Sequence, residues 1–446
     1  MYKQLFLPDL QVMLDESDVD SMKELCQIFH PAVTAEILAE LSPEAVWRVL
    51  SCSDVSRQAE IFEFIPITQQ VALVDVIGRK PLSALIEEMS ADDRVDLLSR
   101  LDQDHIDSIL PLMAQAERSD IRKLLSYPDD SAGSIMTTEY ASLPGDITVA
   151  EALQRLRQQA PNRETIYYIF ILDEGRRLQG VVSLRDLILA KPSTLVSAIT
   201  NREAISVRVD DDQEFVANEL ARYDFIAIPV VDDQNRLVGI VTHDDVLDVL
   251  REEATEDTYR LAAVEPLEDS YMSTPLRTIT WKRGIWLVVL LGAAFLTAGV
   301  ISYFEPVSMR YPWMVLFIPL VLASGGNAGS QSATLVIRAI AVDKMSSTDH
   351  LKMSRREMWV ALILASSLML LGFLSAACFV SVSEASVVAS TVFLVVVFGT
   401  VTGSLLPLAL RKLGMDPALM SNPLIAAQMD MLGVVTYFSI AAWLLG

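Results

Sequence analysis

"WMVLFIPLVLASGGNAGSQSATLVIRAIAV" occupies residues 313–342. About 20 mostly apolar residues suffice to cross a bilayer, and this stretch is longer than that. Its centre, "ASGGNAGSQSA" (323–333), nevertheless reads like a loop, with three glycines, three serines, an asparagine and a glutamine. At membrane depth, polar or irregular segments survive where they are buried in protein or line water. Two compatible readings follow. Small residues allow close helix packing, or Gly325, Gly326, Ala328 and Gly329 leave width along a polar path to which Asn327 adds an amide oxygen. The residues fit either a break or a bend at Gly325–Gly326.

Four further apolar stretches flank this one, at 284–304, 358–380, 386–410 and 423–446. Five in succession do not fit the core of a soluble protein and predict a five-helix, all-α transmembrane domain over residues 281–446. Of the ten Lys and Arg residues from Trp281 onward, nine lie on one side: Lys282, Arg283, Arg338, Lys344, Lys352, Arg355, Arg356, Arg411 and Lys412. Arg310 lies on the other side, as do Glu305 and Glu384. Basic residues favour the cytoplasmic face. The soluble half is therefore expected in the cytoplasm and the C-terminus outside, in a multi-pass protein of the plasma (inner) membrane.

The formal net charge of −23 is concentrated before the spans, where the first 280 residues hold 25 basic and 51 acidic side chains. Such acidity disfavours nucleic acid and anionic surfaces and favours divalent cations as partners. Cys26, Cys52 and Cys378 have no framework spacing, so neither a disulfide set nor a thiolate metal site is expected. The start, "MYKQLFLPDL" (1–10), lacks the form of a signal peptide.

Residues 1–130 read as an all-α domain. Apolar residues recur every three or four positions, and Ser or Asp opens many segments as a helix cap. Helices this short cannot bury their faces alone, which predicts a stacked superhelix. An internal repeat follows: "YYIFILDEGRRLQGVVSLRDLILA" (167–190) matches "FIAIPVVDDQNRLVGIVTHDDVLDVL" (225–250). Gly180 answers Gly239, Asp173 answers Asp232 and Asp186 answers Asp245, each pair 59 residues apart. Each copy reads as strand, tight turn, strand and capped helix, giving α/β domains at 131–194 and 195–250. This pattern resembles a tandem CBS pair, a regulatory module that often binds adenosine nucleotides and is also found empty. ATP is thus a candidate ligand.

The connecting segment, 251–280, continues an acidic run made of Asp244, Asp245, Asp248, Glu252, Glu253, Glu256, Asp257, Glu265, Glu268 and Asp269. A solvated helix face is one reading. Like charges three and four apart repel, so the other is that divalent cations bridge the run to neighbouring acids. Asp93 and Asp96 in "ADDRVD" (91–96), and Asp211, Asp212 and Glu214 in "DDQE" (211–214), are the facing candidates.

Within the spans, Asp430 is the acid farthest from an interface, with 16 residues after it, about 24 Å of helix. An ionised carboxylate there is costly unless it faces water or a partner. It reads as a protonated bundle residue or, better, as a cation site on a water-filled path. In a symmetric dimer the axis would gather two such groups. Oxygen ligands suit a hard ion, and Mg²⁺, which dehydrates reluctantly, fits a wide path lined by small residues.

The chain resembles the MgtE family of magnesium channels over nearly its whole length. The motifs are "YPDDSAGSIMTTEY" (127–140), "PLVLASGGNAGSQSATLVIRAIA" (319–341) and "DPALMSNPLIAAQMDMLGVVTYFSIA" (416–441). The resemblance implies a homodimer whose subunits each carry a helical N-terminal domain, tandem CBS domains, a connecting plug helix and five membrane helices. It implies a pore lined by spans two and five, with the central carboxylate at Asp430 and a cytoplasmic-side asparagine at Asn422. It also implies Mg²⁺ in two roles, as the ion transported and as a regulator bound by acids at the N-domain, CBS and plug interfaces that holds the plug shut. One departure stands out: two threonines are expected shortly before the pore aspartate, whereas this chain has Ala426 and Ala427, then Gln428. No Walker motif, HExxH zinc motif or nucleophile–base pair is legible, which points away from ATP-driven transport and from an enzyme. Passive Mg²⁺ influx is the expected activity. The alternatives are transport of Ca²⁺, Mn²⁺ or Co²⁺ and a membrane-anchored sensor that does not transport.

Overall fold

The computed structural model describes residues 2–267, 271–272, 274–342, 347–413, 415–417 and 421–445. Glu268 and Asp269 of the acidic run and Lys344 of the charge bias lie outside the described residues. The chain divides into two compact units, Met1–Arg251 and Glu252–Gly446.

The first unit opens with the helices α1 (Tyr2–Glu16), α2 (Val19–Ile28), α3 (Pro31–Leu38), α4 (Pro43–Leu50), α5 (Val55–Glu63), α6 (Ile67–Val76), α7 (Arg79–Glu88), α8 (Ala91–Ser99), α9 (Gln103–Ile109) and α10 (Gln115–Leu124). Asp18, Ser42, Asp54 and Asp102 cap four of them, their side-chain oxygens accepting from the backbone N–H of Ser21, Ala45, Arg57 and His105. Each cap is worth about 1 kcal/mol, and none of these helices is long enough to be stable alone. Packing supplies the rest: α3 rests on α5, α5 on α7, α4 on α6 and α6 on α8, the stacking of a superhelix. Ile37, Leu50, Phe62, Leu85 and Leu98 are fully buried in the shared core.

The repeat forms two matching sheets. The first holds β1 (Tyr140–Pro144), β2 (Thr165–Leu172) and β3 (Leu178–Ser183), with α11 (Val149–Gln159) and α12 (Leu184–Leu189). The second holds β4 (Val207–Arg208), β5 (Ala227–Val231) and β6 (Leu237–Thr242), with α13 (Gln213–Arg222) and α14 (His243–Leu261). In each sheet the first strand runs parallel to the second and the third pairs antiparallel to it. The registers correspond, Ile171 opposite Gly180 and Val230 opposite Gly239. At the hairpin tips Arg176 and Asn235 adopt φ of 61° and 58°. The tips bond to each other, Leu178 N–H to Asn235 O and Leu237 N–H to Arg176 O, both at 3.0 Å. Two similar folds thereby face one another around Tyr140, Phe170, Leu237 and Ile240.

The acidic segment prolongs the closing helix of the second repeat, since α14 runs without interruption to Leu261. It stops where Ala263 turns left-handed, with φ of 56°.

The second unit holds α15 (Leu276–Tyr303), the short α16 (Glu305–Arg310), α17 (Met314–Val342), α18 (Ser347–Ala377), α19 (Val382–Lys412) and α20 (Asn422–Leu445). Among the described residues, four helices are long and apolar enough to cross a membrane: Leu276–Tyr303, Leu351–Ala377, Val382–Lys412 and Asn422–Leu445. The 29-residue α17 stands apart because Asn327, Gln331 and the glycines dilute its apolar character. It is one unbroken α-helix through Gly325–Gly326. At the centre, α19 packs against α17, α18 and α20 and buries Val388, Val392, Val395 and Val396. Tyr437 donates to Met314 O at 3.2 Å and Tyr311 to Leu445 O at 2.7 Å, joining α20 to the region where α17 starts. The apolar side chains of α15, among them Leu287, Val288, Leu291 and Phe295, are exposed, as expected of a surface that meets lipid.

Candidate functional site

The polar motif of α17 has two faces. Gly325, Gly326 and Gly329 are turned into the bundle. A Cβ on Gly329 would stand 2.8 Å from Ile425 Cγ2 and 3.1 Å from Gly399 O, and one on Gly326 would stand 3.2 Å from Ala426 Cβ. These glycines serve close packing against α19 and α20. Ala426, one of the two alanines that stand where threonines are expected, is thus the residue that a side chain at Gly326 would meet. The other face exposes Asn327, Gln331, Thr334 and Arg338 at helical spacing. A polar stripe midway along an apolar helix is poorly matched to lipid; it calls for water or another protein surface.

Asn422 opens α20 beside this stripe. Its backbone oxygen accepts from Ser330 Oγ at 3.2 Å and its Oδ1 accepts from Thr334 Oγ1 at 3.3 Å. Asp430 lies eight residues further along α20 and is partly exposed, about 12 Å up the helix axis. Among the described residues, none forms a hydrogen bond or ion pair with its carboxylate.

The end of α14 within this unit meets the same region. Leu261 packs against Ala333 and Ile337 of α17 and Ile425 and Met429 of α20. Arg260 pairs with Glu256 one turn back and with Asp416, shortly before α20. Burial raises the pKa of the Asp257 carboxyl, and the charges of Arg260 and Arg338 oppose that rise.

In the first unit, acids from distant segments converge. Asp92 and Asp93 of α8 approach Asp245 at the start of α14, with Glu63, Glu139 and Glu164 close enough to interact. Burial, followed by neighbouring carboxylates, pushes Asp92 and Asp93 up to about 7 and Asp245 to about 8. Glu164, at the exposed rim, rises to about 7 from desolvation and the charges of Asp245 and Asp244. Asp245 accepts from Thr242 Oγ1 at 2.6 Å and Asp93 from Ser90 Oγ at 2.9 Å, whereas Asp92 Oδ1 is buried without a hydrogen-bond partner. Excess negative charge around an unsatisfied oxygen is relieved by a proton or a hard cation. Among the described residues, no three His, Cys, Asp or Glu side chains are already close enough together to hold a metal ion.

The remaining acids named from sequence lie elsewhere. Asp212 caps α13 through the N–H of Glu214, and Asp211 accepts from Arg208 N–H at 2.7 Å. Asp248 pairs with Arg251. Asp96, Asp244, Glu252 and Glu253 follow the outer surfaces of α8 and α14. Asp92, Glu63, Glu139, Glu164, Arg260, Asp416 and Thr334 were not singled out from sequence. Asp92 carried a signal as the neighbour of Asp93 in the same acidic run, and Glu139, Thr334 and Asp416 lie within the quoted motifs without a role having been legible for them.

A cleft between the repeats is lined by Tyr168, Ser183, Asp186, Asn201, Phe225 and Pro229. The repeat relates Asp186 here to Asp245 in the acidic cluster, so one surface is open and its counterpart is engaged by α8.

Comparison with known proteins places these features. The magnesium transporter MgtE of Thermus thermophilus is 38% identical over 448 residues, covering 98% of each chain. The chain belongs to the MgtE family. The magnesium transporter MgtE of Bacillus subtilis is 32% identical over 99% of this chain and 97% of its own. Family profiles match residues 318–440 (MgtE, divalent cation transporter), 29–130 (MgtE intracellular N domain), and 132–193 and 196–252 (CBS domain). Among solved structures, the cytosolic domain of the Mg²⁺ channel MgtE in complex with ATP superposes with a TM-score of 0.53 at 39% identity. It covers 55% of this chain and 99% of that one. The soluble part of a magnesium transporter gives 0.53 at 34% identity, over 56% and 99%.

Proposed function

We propose that this member of the MgtE family is a homodimeric, gated channel passing Mg²⁺ into the cytoplasm down its electrochemical gradient, with no catalytic step. The observation that carries the reading is Asp430, a carboxylate without a partner among the described residues, on an apolar helix that begins at the Asn422–Thr334 pair. An ion path lined by α17 and α20 would give that carboxylate and the exposed stripe of Asn327, Gln331 and Thr334 the water they require. The magnesium transporters over 30% identical to it support Mg²⁺ as the cargo.

In this reading α17 is the second of five spans, the bulk of the basic residues face the cytoplasm, and the C-terminus is outside. The α14 end acts as a plug at the inner mouth. Cytoplasmic Mg²⁺ holds it shut by neutralising acids on α8 and α14, with Asp92, Asp93 and Asp245 the residues suited to hold it. Asp96 of α8 and Asp244, Asp248, Glu252, Glu253, Glu256 and Asp257 of α14 add to the negative field on these helices, with Asp211, Asp212 and Glu214 in reserve around the start of α13. ATP occupies the cleft at Tyr168 and Asp186, in keeping with the ATP complex of a similar cytosolic domain.

The test is cation uptake into proteoliposomes by wild type and Asp430→Asn, with Mg²⁺, Ca²⁺, Mn²⁺ and Co²⁺ offered separately. Mg²⁺ uptake that falls at least tenfold in the variant is expected. Negligible Mg²⁺ uptake beside strong Mn²⁺ or Ca²⁺ uptake would reject the cargo, and full uptake by the variant would reject the site.

A further inference from the structure

The end of α14 is fastened to the membrane unit by contacts that need no metal. Arg260 is two-thirds buried, its side chain retaining 33% exposure, and it lies between Glu256 of its own helix and Asp416, whose side chain is 30% exposed. Asp416 is 156 residues away in sequence, on the short connection that leads into α20. Next to Arg260, Leu261 fills an apolar socket formed by Ala333, Ile337, Ile425 and Met429, all 4% exposed or less. The negative charge of Asp257 is favoured by Arg260 and by Arg338 of α17. Lys282, near the start of α15, donates to the Pro266 carbonyl just beyond the helix.

We propose that Arg260 is a latch, a positioning residue that holds the plug in its closed seat through Asp416 independently of divalent cation. The proposal rests on the channel reading above. Its physical basis is simple: an acidic helix brought to a mouth bearing Asp416 would otherwise meet repulsion. Arg260 replaces that repulsion with a partly desolvated, charge-assisted pair. Asp416 is then occupied by the protein's own cation and contributes to closure through Arg260. Because latch and cytoplasmic Mg²⁺ stabilise the same state, weakening one must be offset by more of the other.

The experiment is Mg²⁺ uptake by full-length protein in proteoliposomes, as a function of Mg²⁺ on the cytoplasmic face. Arg260→Gln and Asp416→Asn should each raise the half-inhibiting concentration about threefold to tenfold, as expected for loss of a charge-assisted bond. The swapped pair Arg260→Asp with Asp416→Arg should return it most of the way, which a variant damaged in folding would not do. If Asp416 were instead a Mg²⁺ ligand with which Arg260 competes, Arg260→Gln would lower the half-inhibiting concentration while Asp416→Asn raised it. That pattern, or an unchanged value for Arg260→Gln, overturns the latch. Uptake insensitive to Asp430→Asn in the same preparation would instead point to failure of the channel reading.

Discussion

Replacing Gly403 with alanine tests whether the contact between α17 and α19 is as close as the structure places it. A Cβ on Gly403 would sit 2.9 Å from the carbonyl carbon of Gly329 and 3.1 Å from its Cα, and nearer still to its oxygen. Carbon atoms in ordinary contact lie about 3.5–4.0 Å apart, and the oxygen is the tightest contact, so α17 must retreat by about 1 Å or more. The obstacle is backbone, so no side chain can rotate to relieve it. Overpacking of this kind costs about 1–3 kcal/mol. The same substitution at Gly292 of α15, which has nothing within 4 Å, should do the reverse. Alanine there gains about 0.5–1 kcal/mol of helix preference. The assay is the melting midpoint of detergent-solubilised full-length protein, followed by fluorescence-detected size-exclusion chromatography. Gly403→Ala should melt below wild type and Gly292→Ala at or slightly above it. A Gly403→Ala protein that melts with or above Gly292→Ala would refute the packing argument. The retreat of α17 would also carry Thr334 away from Asn422, so Mg²⁺ uptake should fall more than the loss of folded protein explains.

Two further predictions concern the first unit. Asp92, Asp93 and Asp245 carry carboxyl pKa values of about 7 to 8 in the folded chain, against about 4 when unfolded. The native state therefore binds more protons between those limits, and its stability falls as pH rises through them. Without divalent cation, the melting midpoint should drop from pH 6 to pH 8.5; Mg²⁺ should reverse the drop and Asp92→Asn should flatten it. A midpoint that rises with pH would contradict the cluster. Asp186→Ala should abolish ATP binding measured by calorimetry while leaving the Asp92–Asp245 cluster and its pH dependence intact; ATP binding at wild-type affinity would remove the nucleotide from that cleft.

Features set by neighbours in sequence were legible without coordinates. Helix caps at Asp18, Ser42, Asp54 and Asp102 are local hydrogen bonds between a side chain and the N–H three residues on. The repeat showed itself because corresponding strands and turns need the same residue types, hence Gly180 with Gly239 and Asp186 with Asp245. Apolar runs reveal membrane helices because lipid imposes one requirement on every residue of a span. An acid such as Asp430 is conspicuous against that background. Contacts between distant segments had no such signature. Asp92, Glu63 and Glu164 are unremarkable surface acids until folding gathers them around Asp93 and Asp245, where desolvation and neighbouring charge raise their carboxyl pKa values. The "GGNAG" of α17 fitted a break, a bend, a pore wall or a packing seam. Gly399 and Gly403 of α19, which decide how closely the helices approach, lie some 70 residues away in sequence. Arg260 and Asp416 were ordinary charges until the end of α14 came to rest beside α17 and α20. Local chemistry determined the elements and their order; the partner of each charge and each glycine depended on which surfaces folding brought together.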